Sequence, residues 1–444
     1  MFKKNILLFF LVAILFSCSR DEMKQPNIVL IMADDMGYEC IGANGSTQYR
    51  TPNIDQLGKE GAQFKHCYSQ PLCTPSRVKI MTGKYNFRNY EDFGYLNPNQ
   101  QTFANLLHRA GYKTCIAGKW QLNGLNRGNP NNQDVDRPHH FGFDEYCLWQ
   151  LNHWRKDGER YGDPLITQNG KDLPRNENSY GPQIFADYVC NFIDRKAGNP
   201  FFVYYPMVLV HDPFVPTPDS PKWNEPWRQE INDTTYFADM VAFTDKIVGQ
   251  IESKLKEKGV WENTLFIFIA DNGTNQNIVT ETNYGVVTGG KGLSINTGNH
   301  VPMFVSWPEK IKKDTVINAL VSLDDFLPAL CDAAGIDSTE YTTDGKSFLP
   351  LLTGKTTETQ NEVFIHYSPR WGKFKNNRWV MNGEYKLYHD GRFYNTVNDT
   401  LEQTLLTNPT KQELKIKQHF QKIIDKKENE IAFSLNDTTF NVTY

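Results

Sequence analysis

Cys73 heads the stretch whose residue types most directly suggest chemistry, Pro71 to Gly83, which reads PLCTPSRVKIMTG. Pro75, just inside a predicted helix start, places the thiol at the mouth of a helix, where free backbone N–H groups attract anions. Cys73 is therefore expected in an electropositive pocket. Two other pairs could serve the same site. Asp34-Asp35 closes the apolar run Asn27 to Ala33, and Asp271-Asn272 closes the similar run Thr264 to Ala270. Nearly continuous apolar runs of this length mark strands covered on both faces in a parallel sheet. Neighbouring residues within a strand face opposite ways, so each pair can serve one site only once its strand has ended. That end is where open parallel sheets bind ligands, and carboxylates buried there are costly unless a cation holds them.

The pattern C-x-P-S-R-x-x-x-[LM]-T-G, here Cys73 to Gly83, resembles the signature of type I sulfatases, in which the cysteine is oxidised after translation to formylglycine. The resemblance runs along almost the whole mature chain, through PNIVLIMADDMG, TPNIDQL, GKW, HDP, DNG, GGKG, HVP and GEYKLY. It implies an alkaline-phosphatase-like fold and hydrolysis of sulfate esters. On its motifs Asp34, Asp35, Asp271 and Asn272 match the family's calcium ligands, with the residue at 73 adding a further oxygen. All-oxygen ligation suits a hard cation such as calcium rather than zinc.

By the same resemblance, Arg77, Lys119, His211 and Lys291 match the residues around formylglycine and the sulfate group. Arg77 would hold the hydrated aldehyde, Lys119 and Lys291 the sulfate oxygens, and His211 would protonate the leaving group. A sulfate ester gains negative charge on its bridging oxygen as the S–O bond breaks, so fixed cations and a proton donor lower the barrier. In the family, one hydroxyl of the hydrate attacks sulfur, and the second later expels sulfate and regenerates the aldehyde. Two positions depart from the pattern. Gln121 stands where the family usually has a histidine linked to deprotonating the hydrate, and glutamine cannot act as a base. His300 stands where an arginine is usual, which is expected to alter support for Lys291 or the substrate rim. Asp212, His153, Trp154 and Arg155 are candidates for recognising the rest of the substrate, since indole and guanidinium groups suit sugar rings and anionic groups.

The elements that must position these residues alternate. Helices are predicted over Thr51 to Glu60, Thr102 to Ala110, Ile184 to Lys196, Tyr236 to Gly259 and Leu323 to Ala334. Strands are predicted over Lys113 to Ala117, Phe201 to Leu209 and Met303 to Trp307. Asn123 to Asp172 has no period and reads as a long excursion over the site, where specificity loops are carried. After Ser347 short runs split by turn residues predict a small antiparallel sheet, followed by a charged amphipathic helix from Pro409 to Asn429. The expected architecture is α/β: a large domain over 24–345 with a mostly parallel central sheet flanked by helices, and a small C-terminal α+β subdomain over 346–444.

At 444 residues, 39% hydrophobic, the chain can bury a large core. A net charge of −4 gives no long-range attraction for nucleic acid, so an anionic substrate must be met by local charge. Residues 1–18 read as a lipoprotein-type signal segment: Lys3 and Lys4 precede an apolar run too short to span a bilayer, and Leu15-Phe16-Ser17-Cys18 resembles a lipobox. This predicts export to the periplasm or cell surface, with Cys18 lipidated and the lipid the sole membrane contact. None of the eight cysteines forms a C-x-x-C pair, so buried free thiols are expected rather than zinc or dithiol chemistry. A surface lipoprotein suits a sulfated oligo- or polysaccharide substrate, with a separate maturation enzyme converting Cys73. Two alternatives keep the same residues: a formylglycine hydrolase of phosphate or phosphonate esters, and a catalytically weak protein that binds sulfated glycans.

Overall fold

The computed structural model describes residues 25–125, 133–153, 160–226, 231–356 and 360–436, with side chains as far as residue 431. The leader with Cys18, and Trp154 and Arg155, lie outside the described residues. Ten strands form the central sheet: β1 (Asn27–Ala33), β2 (Ala62–Tyr68), β3 (Lys113–Lys119), β4 (Glu145–Trp149), β5 (Ile166–Gln168), β6 (Lys171–Asp172), β7 (Phe201–Pro206), β8 (Thr264–Ala270), β11 (His300–Ser306) and β12 (Thr315–Ser322). A separate two-stranded hairpin, β9 (Val279–Thr282) and β10 (Gly285–Thr288), follows β8. The sheet order is β12-β2-β11-β8-β1-β7-β3-β4-β5-β6. Its middle, from β8 to β4, is parallel. Every residue of β1, β7 and β8 is buried, as continuous apolar runs require.

Two groups of helices cover this sheet. α1 (Pro52–Glu60) packs with the helix Phe237–Glu257, which in turn packs with the helix Gly181–Lys196. Buried Asp245 ties the first two, accepting the backbone N–H of Asn53 and Ile54 at the start of α1. The other group comprises α2 (Cys73–Thr82) with the helices Phe103–Arg109 and Phe326–Ala334. α2 is buried at all ten positions, including Lys79, whose ammonium lies 2.8 Å from Asp324 and 2.8 Å from Ser322 Oγ. Gly83 ends α2 at φ +65, in the left-handed region, where a Cβ would also come within 2.8 Å of Leu327.

The four C-terminal strands β13 (Val363–Tyr367), β14 (Asn377–Met381), β15 (Tyr385–Tyr388) and β16 (Phe393–Asn395) form an antiparallel meander. The helix Lys411–Asn436 covers one face through Phe420, Ile424 and Ile431. The other face joins a core containing Leu72 and Cys73, so the small sheet backs directly onto the start of α2.

The aperiodic span Asn123 to Asp172 is not all excursion. It contributes β4 as the parallel neighbour of β3, with β5 and β6 on the edge. Five residues, EYCLW, are too short a run to announce a strand by pattern. β12 pairs with β2 although its burial is interrupted, and the ladder slips between Ile317 and Leu320. β11 begins at His300, three residues before the expected Met303, and its pairing slips between Val301 and Met303. Pro302, which lacks an N–H to give the ladder, lies at that slip. All seven described cysteines are buried and free, as expected.

Candidate active site

The in-register pairing of β1 and β8 places Ala33 opposite Ala270, so the two polar pairs that follow emerge side by side. Asp35 takes φ +61, which turns the chain at once after the strand. Its backbone N–H donates to Asp271 Oδ1 at 3.1 Å, and Asn272 Nδ2 donates to Asp35 Oδ1 at 2.8 Å. All four side chains are fully buried. The sulfur of Cys73, the first residue of α2, joins them. One ligand atom each from Asp34, Cys73 and Asp271 lie within 4.8 Å of one another.

Four cations surround these carboxylates. Arg77, one turn along α2 from Cys73, places its guanidinium 2.9 Å from Asp271 and 3.7 Å from Asp34, and donates to the carbonyl of Lys119 at 3.2 Å. Lys119, the last residue of β3, lies 2.8 Å from Asp34 Oδ2. Lys291 lies 2.5 Å from Asp35. The fourth, Arg160, was not anticipated: its guanidinium stands 3.8 Å from Asp34 Oδ2 and 4.2 Å from the ring centroid of Trp149. Arg160 comes from the aperiodic span and carries no sequence signal of its role.

Electrostatics follow from this crowding. Burial opposes the Asp34 anion, but Lys119, His211, Arg77 and Arg160 outweigh it and hold the carboxyl well below its usual range. Asp271 moves the other way, raised by burial and by the neighbouring Asp34 charge. Burial pushes the Cys73 thiol up, so the unmodified sulfur is a poor thiolate nucleophile.

A metal fits this donor set. The buried Oδ1 atoms of Asp34 and Asn272 have no hydrogen-bond partner, and two orphaned oxygens beside clustered carboxylates are what a hard cation satisfies.

Above the carboxylates opens a cavity of about 530 Å³ lined by Cys73, Lys119, Gln121, His211 and Lys291, together with Trp149, Arg160 and Trp371. Five of the six expected catalytic side chains therefore meet in one cavity, while Arg77 lies beneath it, engaged with the carboxylates. Gln121, at φ +57, directs Oε1 to Cys73 Sγ at 3.3 Å and to Thr74 Oγ1 at 3.4 Å. Lys291 Nζ is 2.9 Å from His211 Nε2. His211 Nδ1 lies 3.1 Å from the carboxylate of Asp212, which itself accepts from Asn275 at 3.4 Å.

Four of the remaining expected residues fare differently. His300 does not reach Lys291 or the cavity rim. It stacks on Tyr38 at 4.2 Å, and its Nε2 lies 2.9 Å from the carbonyl of Lys65. His300 starts β11 opposite Tyr68, and that register turns its ring away from the cavity. His153 pairs with Asp172 at 2.8 Å and does not line the cavity. Trp154 and Arg155 lie outside the described residues. Trp371, Lys373 and Phe374 line the cavity from the loop between β13 and β14, a contribution of the small sheet that local pattern could not reveal.

A family model described as Sulfatase matches residues 26–336, and one described as N-sulphoglucosamine sulphohydrolase, C-terminal, matches residues 291–434. Arylsulfatase G of Mus musculus is 28% identical over 427 residues, covering 86% of this chain and 79% of the relative. N-acetylglucosamine-6-O-sulfatase of Bacteroides thetaiotaomicron is 24% identical over 487 residues, covering 87% of this chain and 82% of the relative. Among solved structures, that of Ps i-CgsB superposes with a TM-score of 0.75 at 23% identity, covering 94% of this chain and 95% of that one. The structure of BT4656 in complex with its substrate D-glucosamine-2-N,6-O-disulfate gives 0.74 at 20% identity, covering 94% and 100%. At these identities the structural likeness concerns the fold.

Proposed function

The chain belongs to the sulfatase family and is a sulfuric ester hydrolase, and on that premise we propose that it removes sulfate from sulfated carbohydrate, using formylglycine made from Cys73 and a calcium ion. The observation that carries this reading is the seat of Cys73. It heads α2 between the carboxylates of Asp34 and Asp271 on one side and an open, cationic cavity on the other.

Calcium held by Asp34, Asp35, Asp271 and Asn272 would draw negative charge from the sulfate oxygens. Formylglycine at 73 would supply, as its hydrate, the hydroxyl nucleophile that a buried thiol does not offer. The chain's own residues do the rest. Lys119 and Lys291 present ammonium groups at the cavity floor, fixed by Asp34 and Asp35, and orient the sulfate between them. Arg77 braces that floor through Asp271 and the Lys119 carbonyl. Gln121 accepts a hydrogen bond from the group at 73 and so directs it. Negative charge grows on the bridging oxygen as its bond to sulfur lengthens, and His211, backed by Lys291, delivers the proton that lets the sugar hydroxyl leave.

Carbohydrate as the substrate is supported by N-acetylglucosamine-6-O-sulfatase among the relatives, and by an export leader that suits work on polymers outside the cytoplasm. No helix among the described residues is long and apolar enough to cross a membrane; membrane contact is assigned to a lipid on Cys18. Mass spectrometry across Cys73, coupled to sulfate release from a panel of sulfated saccharides, tests the whole. Formylglycine with sulfate release is expected. Formylglycine with no release from any sulfated saccharide would sink the carbohydrate reading, and faster cleavage of an aryl phosphate than of the matched sulfate would move the assignment to phosphoryl esters.

A further inference from the structure

Resting on that sulfate-ester reading, we propose that the outer half of the cavity is a second anion subsite, in which Trp371 stacks against the sugar ring and Lys373 binds a further sulfate or carboxylate on the same substrate. The residues lining the cavity include Lys119, Arg160, Lys291 and Lys373, yet no aspartate or glutamate, in a chain whose net charge is −4. Lys119 and Lys291 are paired closely with Asp34 and Asp35, and Arg160 is buried 3.8 Å from Asp34 with its Nε and Nη1 free of hydrogen bonds. Lys373 is exposed, and no described carboxylate pairs with it. An exposed ammonium without a carboxylate partner, at the rim of a cavity without acids, is placed for an anion that the substrate brings.

The neighbouring Trp371 is 47% exposed, one of few large apolar side chains left open to solvent. Its ring lies nearly parallel to Phe93 at 4.4 Å with an interplanar angle of 17°, so Phe93 backs one indole face while about half of the residue stays open to solvent. A flat, exposed indole beside a cation is suited to the face of a pyranose bearing an anionic group.

The loop is held in place, which gives the subsite a fixed geometry. Arg370 donates to the carbonyl of Glu91, and Tyr90 donates to the carbonyl of Pro369 at 2.6 Å. Further along, Phe374 packs on Gly292, where a Cβ would come within 2.1 Å of the ring, and Tyr367, just before the loop, donates to the Gly292 carbonyl at 3.0 Å. Gly292 follows Lys291 directly. The loop that carries Trp371 and Lys373 is thus locked to the residue assigned to the sulfate.

Calorimetric titration of the Cys73→Ala protein, which has no Cβ heteroatom to oxidise to formylglycine, reads this subsite without turnover. The probes are matched pairs with one and two anions per unit: oligosaccharides of κ- and ι-carrageenan, with one and two sulfates per disaccharide, and a sulfated hexosamine alone and in a monosulfated chondroitin disaccharide, where a uronate carboxylate is the second anion. The two-anion member of at least one pair is expected to bind about five-fold tighter or better. In that pair Lys373→Ala abolishes the preference and Lys373→Arg keeps it, while Trp371→Ala weakens both members about ten-fold and Trp371→Phe restores part. A carrageenan preference identifies the second group as sulfate. Preference for a monosulfated chondroitin disaccharide over the same sulfated hexosamine without its uronate identifies it as carboxylate. No binding by any two-anion probe, or a preference that survives Lys373→Ala, overturns the proposal. If that binding pattern holds but the matured wild-type protein releases no sulfate from the bound saccharide, the hydrolytic reading fails and the subsite stands.

Discussion

Lys291 Nζ lies 2.9 Å from His211 Nε2, so the imidazole nitrogen facing the cavity accepts a hydrogen bond from an ammonium. His211 Nδ1 lies 2.7 Å from the carbonyl of Asp212, and the tautomer that satisfies both contacts carries its hydrogen on Nδ1. Burial, joined by the Lys291 charge, pulls His211 below its ordinary value against the opposing pull of Asp35. The free enzyme therefore holds a neutral imidazole beside a charged lysine. In the proposed reaction, the proton handed to a departing alkoxide would belong to the pair rather than to His211 alone.

That arrangement separates substrates by their leaving groups. His211→Ala is expected to lower kcat on a sulfated saccharide by about 10²-fold, the usual contribution of a placed proton donor. On 4-nitrophenyl sulfate, whose phenolate departs without a proton, the same variant should lose less than about five-fold. Steady-state rates on both substrates measure the contrast, and equal losses would remove the acid role from His211.

Gln121 gives a pH signature. Its Oε1, 3.3 Å from Cys73 Sγ, can accept and orient but cannot take a proton. Gln121→His puts an ionisable ring at the same place. Its kcat should gain an ascending limb with a midpoint near the ordinary histidine value of about 6.5, and the wild-type profile should lack it. Superimposable profiles would show that the position takes no part in the step.

Removing the metal should cost stability as well as activity. Asp34, Asp35, Asp271 and Asn272 are fully buried, and a cation bound at 100 times its dissociation constant stabilises by about 2.7 kcal/mol. Treatment with EGTA is expected to lower Tm by roughly 3 °C. Calcium should restore it and zinc should not. Asp271→Asn should melt at one temperature with or without calcium, and a Tm indifferent to EGTA in the wild type would argue against a hard cation there.

Much of this site was legible because its residues follow strands whose apolar runs are unmistakable. Asp34 and Asp271 are placed by NIVLIMA and TLFIFIA, and Cys73 by the proline and glycine that bracket α2. Arg160 and Trp371 were not legible. Arg160 is buried through tertiary contacts with Trp149 and Asp34, and no local pattern encodes a partner far away in the chain. Trp371 sits on a nine-residue turn between two strands of the small sheet, and nothing in that turn indicates that it reaches the mouth of α2. His300 erred in the opposite direction. Its position in a motif suggested the site, but the register of β11 on β2 fixes where a strand residue points.

His366 in β13 makes the stability of the small sheet depend on pH. Its ring is 4% exposed, meets the edge of Phe87 at 5.6 Å, and leaves Nδ1 buried without a hydrogen-bond partner. Burial, helped by the charges of Arg378 and Arg370, pushes it down to about 3 from an ordinary 6.5. Between those values the unfolded chain binds a proton that the folded chain refuses, so stability is retained above pH 6.5 and lost as pH falls toward 3. At pH 5 the loss from this one group is about 2 kcal/mol. His366→Phe keeps a ring against Phe87 and removes the titration. Urea unfolding should give nearly equal midpoints for variant and wild type at pH 7.5, and a higher midpoint for the variant at pH 5. A difference that is the same at both pH values would mean that His366 is already charged in the folded protein, or that another buried histidine carries the acid sensitivity.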